Sequence, residues 1–172
     1  MSEITKCVNE WNATLEALGQ AKQSILIRKY QTTLDEFLLY PTVSYANKDD
    51  YLDSFKKECK SFVKKNTLPK GKDGEYEVKY YAKVDSIIEK SSNRIGAFDN
   101  YHIWTKDHVK SYVSGNAYIW LLRIYKLDKP VITGRSRGMV FANTDKTISL
   151  DNMTPVLSDD EFEKLKEEIL SK

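Results

Sequence analysis

The sequence predicts an α+β domain built on a mixed, largely antiparallel sheet flanked by helices. Three observations carry that expectation. Apolar residues recur at helical spacing near both ends of the chain. The middle holds several runs that alternate or enrich in Ile, Val and Tyr. Gly, Pro, Asn and Asp punctuate the boundaries between these runs. At 172 residues, 41% of them hydrophobic and 30% charged, a single domain over 1–172 can bury a core without disulfide staples.

Taken in order, Ile4, Val8, Trp11, Leu15 and Leu18 have helical spacing and Gly19 supplies a stop, which predicts a first helix. Residues 23–30 enrich in Ile and predict a strand. Residues 36–42 predict a second strand beside it, with Pro41 ending the ladder. After the polar loop Asn47–Asp50, the residues Tyr51, Leu52, Phe55, Cys59, Phe62 and Val63 predict another amphipathic helix. Residues 68–74 break as an exposed turn. Tyr76 to Glu89 predicts a long strand with Val78, Tyr80, Ala82, Val84 and Ser86 on one face and Tyr81 on the other. Residues 94–101 are irregular. Thr105 caps a short helix carrying Val109, Tyr112 and Val113, closed by Gly115. Ala117 to Leu127 is the most apolar run and belongs at the centre of the sheet. Val131 to Phe141 and Thr147 to Leu150 predict further strands. Ser158 followed by Glu161 predicts a capping box on a last helix with Phe162, Leu165, Ile169 and Leu170 as its stripe.

Composition narrows the function classes. No apolar run approaches the length of a membrane span, and Met1 to Lys6 lack the basic and apolar regions of a signal peptide, so a cytoplasmic protein is expected. Cys7 and Cys59, both on expected helices, read as reduced thiols on half-apolar faces. Two Cys and two His at these spacings predict no metal site, and nothing calls for a cofactor. A net charge of +2 is too small to argue for nucleic acid by itself. The acid is concentrated in the last helix, while Arg123 to Arg137 is basic.

The stretches Glu10-Trp11, Ile25–Lys29, Glu36–Thr42, His102–Thr105 and Tyr118–Leu127 together resemble an archaeal and bacterial family of unknown function over nearly the whole chain. The element order is a helix, a strand ending in Arg-Lys, a second strand, a long middle strand, a short helix and a strong strand. It more loosely resembles the PUA-like barrel superfamily, which includes ASCH and EVE domains. That resemblance implies a β-barrel with a cleft beside the first helix and strands, and RNA or a modified nucleotide as the partner. The Gly-x-Lys-x-x-Glu sequence of ASCH domains is missing at the first strand, where Gly19-Gln20-Ala21-Lys22 stands.

A nucleotide cleft needs cations for phosphate, flat side chains for stacking and polar groups for base edges. Arg28, Lys29, Arg135 and Arg137 are the candidates for phosphate, Trp104 and Tyr40 for stacking, and Glu36 or Glu10 for a base edge. In Gly134-Arg135-Ser136-Arg137-Gly138 the two glycines allow close approach of the backbone to a ligand and the two arginines can grip phosphate or carboxylate, or the segment is a hairpin turn with solvated arginines. Trp11 and Trp120 have the spacing of core residues. His102 and His108 are candidate acid–base groups or merely partly buried imidazoles. A salt bridge between Arg28 and Glu36 across neighbouring strands is an equal alternative to a site. Two other readings stay open. One is a hydrolase using Lys29 and Glu36, or a Mg²⁺ nuclease using Glu77 and Lys79. The other is a protein-interaction module presenting the acidic last helix.

Overall fold

In the computed structural model, which describes residues 2–172 and so leaves out Met1, the elements follow in this order: β1 (Glu3–Trp11), α1 (Asn12–Gly19), β2 (Ile25–Arg28), β3 (Glu36–Thr42), α2 (Lys60–Lys65), β4 (Gly71–Lys72), β5 (Glu75–Ser91), α3 (Lys106–Tyr112), β6 (Asn116–Thr133), β7 (Phe141–Ser149), β8 (Thr154–Pro155) and α4 (Asp159–Leu170). Short 3₁₀ turns occupy much of 44–59, and a longer 3₁₀ stretch covers Ser92–Tyr101. The sheet order is β2-β6-β5-β3-β1-β7, with β4 and β8 as short additions. Every pair is antiparallel except β1 with β3. This is the mixed, largely antiparallel α+β architecture that the sequence predicts.

The sheet curls back on itself. Just beyond β6, Ser136 N–H donates to Asn143 O at 2.8 Å and Asp145 N–H donates to Gly134 O at 2.9 Å, which ties the tail of β6 to β7. The curl gives two cores. Cys7, Leu38, Tyr40, Val78, Tyr81 and Leu127 fill the inside of the curl. Their neighbours Val8, Phe37, Leu39 and Ala82 face outward, where α1 and α4 bury Leu15, Leu18, Phe162 and Ile169. Alternation between the two faces is the ordinary period of a strand.

Several expectations need correction. The expected helix over 4–18 is β1 followed by α1, with the change at Trp11/Asn12. β1 lies between β3 and β7 and is buried on both faces from Cys7 to Glu10, so its period of two is masked in the sequence. Cys7 is therefore on a strand, and Cys59 closes a 3₁₀ turn. β2 spans only Ile25–Arg28 and does not touch β3, because β6 and β5 lie between them. The expected helix over 51–63 is broken into 3₁₀ turns and the short α2. Phe55 bridges Trp104, Lys56 N–H donates to Ile103 O at 2.9 Å, and Thr105 N–H donates to Ser54 O at 3.0 Å. Those extended pairings compete with a continuous helix. In β5 a register shift between Val78 and Tyr80 turns Val78 and Tyr81 to the same inner face and sends Tyr80 outward. Residues 131–133 complete β6, and the chain turns before β7 begins at Phe141.

Other expectations hold. β3 has the expected bounds, β6 is an inner strand although it lies beside the end strand β2 rather than at the centre, Thr105 Oγ1 accepts from His108 N–H at 3.1 Å, and Ser158 and Glu161 form the capping box. Gly19 ends α1 where a Cβ would stand 2.1 Å from the ring of Tyr80, whose hydroxyl donates to Glu16 at 2.8 Å. The last helix docks by its apolar side. Arg123 bonds Leu157 O at 2.8 Å and Asp159 at 2.9 Å, and its guanidinium lies 4.9 Å from the Phe162 ring centre.

The two thiols are free and differently placed. Burial pushes the Cys7 thiol up to about 11, and burial also raises Cys59, which is only half-covered. Thiolate is the reactive form. A disulfide reagent at pH 8 is therefore expected to modify one thiol, Cys59, in the native protein, and Cys7 only after unfolding. Peptide mapping of the labelled protein checks this; rapid labelling of Cys7 would contradict the inner core.

Candidate functional site

The parallel strands β1 and β3 and the end of β2 finish at one side of the sheet. There α3 and the 134–140 turn enclose a cleft of about 400 Å³. Asn9, Glu10 and Trp11 come from the end of β1, Arg28 and Tyr30 from the end of β2, and Thr42 and Ser44 from the end of β3. Trp104, His108 and Tyr112 come from α3 and its approach, and Arg135 and Met139 from the turn.

The floor is a buried ion pair. Arg28 Nη2 donates to Glu10 Oε2, with the two side chains 10% and 7% exposed. Arg28 Nη1 also reaches Ile27 O at 3.2 Å, and the second Glu10 oxygen accepts from Trp11 N–H at 2.9 Å. Tyr30 and Tyr112 flank the guanidinium. Removing two charges from water is costly, and the extra hydrogen bonds are what make the arrangement tolerable.

The walls are aromatic and rigidly backed. The Trp11 indole stacks on Tyr45 at 4.9 Å with a 7° interplanar angle and meets Phe55 edge-on at 5.9 Å. Tyr45 is itself fixed, accepting from Ala13 N–H at 3.1 Å and donating to Thr67 O at 2.6 Å. The His108 ring lies 5.4 Å from Trp11 and 6.3 Å from Trp104, between the two indoles. Burial holds the His108 imidazole below its ordinary range.

The mouth is formed by the turn. Asn9 holds it at two points, donating from Nδ2 to Gly138 O at 3.0 Å and from its backbone N–H to Val140 O at 2.8 Å. At Gly138 an added Cβ would stand 2.2 Å from Phe141 O, so the close return of the chain requires glycine. The Arg135 guanidinium lies 5.5 Å from the Tyr40 ring centre.

Of the sequence candidates, Glu10, Arg28, Trp104, His108 and Arg135 line the cleft together. Lys29 is exposed beside it, its Nζ 4.8 Å from the Tyr112 ring. Arg137 is exposed on the same turn as Arg135. Tyr40 lies in the inner core, its hydroxyl donating to Thr133 O at 2.7 Å, and reaches the cleft only through Arg135. Glu36 is remote, opposite Lys83 in a shallow groove with Glu3 to Lys6. The cross-strand pair of Arg28 with Glu36 is replaced by Arg28 with Glu10. Lys29 and Glu36 accordingly sit on different surfaces. Lys79 is paired with Glu16, and among the described residues no three His, Cys, Asp or Glu gather as a metal-ligating set.

Sequence reasoning passed over Asn9, Tyr30, Tyr112 and Met139, and it assigned Trp11 to the core. Trp11 was hidden by the helical reading of β1. An apolar Met in a turn beside two arginines was the one signal available for Met139.

A family model described as a domain of unknown function, DUF1802, matches residues 7–168. No curated protein matches the chain. Among solved structures, ASCH from Zymomonas mobilis is similar over 94% of this chain and 93% of its own, at 12% identity and a TM-score of 0.46. A point mutant of that protein is similar over 94% and 96%, at 14% identity and a TM-score of 0.45.

Proposed function

Because this chain belongs to the DUF1802 family of domains of unknown function, we propose from its own geometry that the cleft binds RNA, or a modified nucleotide within it, through one base and its flanking phosphates. The observation that carries this reading is the buried Arg28–Glu10 pair facing a cleft with aromatic walls. The pair presents a carboxylate acceptor beside guanidinium donors, which suits the mixed donor–acceptor edge of a base. Since Glu10 neutralises Arg28, phosphate falls to Arg135 at the mouth, helped by the exposed Lys29 and Arg137. Trp11 supplies the stacking surface, while Trp104, only 5% exposed, backs the wall behind His108, and a stacked base is worth about 1–3 kcal/mol.

The test is retention of short single-stranded RNA across a salt series. The affinity of the wild-type protein is expected to fall steeply with salt, and Arg135→Ala to weaken binding several-fold and to flatten the slope by about one phosphate contact. Equal binding by both proteins, or binding indifferent to salt, would contradict the proposal.

A further inference from the structure

Met139 is 97% exposed, although it stands at the mouth of the cleft. Two residues on, Phe141 is also exposed on one side, and its ring meets Tyr30 of the cleft wall at 6.2 Å. An isolated exposed apolar residue calls for no explanation, but an apolar tip continuous with an aromatic cleft does. The turn that carries it is braced. Asn9 binds both Gly138 O and Val140 O, and Arg135 Nη1 returns to Ser136 O at 3.2 Å. At its near end, a Cβ on Gly134 would stand 2.4 Å from Asp145 Oδ2. The result is a stiff finger with Met139 at its tip and Arg135 and Arg137 just before it.

We propose that Met139 is a wedge that enters a base-paired RNA stack and fills the space left when one nucleotide swings out into the cleft. The inference rests on the nucleotide-binding reading above and extends it from single strands to duplex RNA. Three features support it. Flexible apolar side chains at the tips of loops are a recurrent means of separating stacked bases. A base taken out of a stack needs an aromatic-walled cleft within reach, and Met139 lines the mouth of one. The strained backbone on either side of the wedge needs cations, and Arg135 and Arg137 are on the same turn.

Anisotropy titrations with three labelled probes test the proposal: a paired RNA duplex, the same duplex with one mismatch, and the single strand. The wild-type protein is expected to bind the mismatched duplex about tenfold more tightly than the paired one, because a mismatch removes part of the unpairing cost. Met139→Ala is expected to lose about tenfold more on both duplexes than it loses on the single strand, and Met139→Leu to restore duplex binding. Equal losses on duplex and single strand, or no loss at all, would overturn the wedge and leave the cleft reading standing. Failure of the wild-type protein to bind any of the three would overturn both.

Discussion

Truncating Glu10 to alanine is expected to cost about 3–5 kcal/mol of stability, because it leaves the Arg28 guanidinium buried without its counter-charge. Arg28 is 8% exposed, and beyond Glu10 only neutral groups stand beside its guanidinium among the described residues: Ile27 O at 3.2 Å and the side chains of Tyr30 and Tyr112. Arg28→Ala is expected to be damaging for the same reason, with Glu10 left accepting only from Trp11 N–H. Replacing both, as Glu10→Leu with Arg28→Met, removes the two desolvation costs together. The double variant is expected to be clearly more stable than either single truncation. Urea midpoints at neutral pH measure this. Additive losses in the double variant would contradict the pair as drawn. The double variant also separates fold from function, since it should stay folded and lose RNA binding through the lost acceptor–donor edge.

The second large effect is acid sensitivity centred on His102. Its imidazole is fully buried, Nδ1 accepts from Trp104 N–H at 3.2 Å, and Nε2 has no hydrogen-bond partner among the described residues. Burial, reinforced by the nearby Lys56 ammonium, pushes it down to about 4, against a weaker opposing pull from Asp99. The Asp99 carboxylate is 3.9 Å away and is shared with Lys106. The unfolded chain takes up this proton near the ordinary value of 6.5. The stability is therefore whole above pH 6.5 and is lost as pH falls from there toward 4, where the native state also protonates. The full loss amounts to roughly 3 kcal/mol at about 1.4 kcal/mol per pKa unit. His102→Asn, whose Oδ1 can still accept from Trp104 N–H, is expected to flatten this limb of the stability–pH curve. An unchanged slope would place the acid sensitivity elsewhere.

These two residues also show what the sequence reveals and what it hides. β3, α3 and α4 are legible because each depends on local chemistry: an apolar run ending in Pro-Thr, a Thr cap, and a Ser–Glu capping box. β1 is illegible because burial on both faces removes its period, and Ile4, Val8 and Trp11 then imitate a helix. The Arg28–Glu10 pair could not be read locally. It requires β1 and β2 to converge at their ends across a sheet in which they are not neighbours. Pairing Arg28 with Glu36 assumed that sequential strands lie side by side, and β6 and β5 intervene. Tyr40 had the chemistry of a stacking residue, but its place in β3 turns it into the inner core. Trp104 and Arg135 stood out by residue type at a helix cap and a glycine-bounded turn, and the fold brings both to the cleft.

Tryptophan fluorescence tests the central claim most directly. Trp11 and Trp104 line the cleft, while Trp120 is fully buried in the outer core. Titrating the wild-type protein and Trp11→Phe with short single-stranded RNA at low salt reports on the cleft itself. A base stacking there is expected to quench the wild-type emission in a saturable, salt-sensitive way, with a smaller amplitude in Trp11→Phe. RNA binding without quenching, or equal quenching in both proteins, would mean that the nucleotide lies somewhere other than against Trp11.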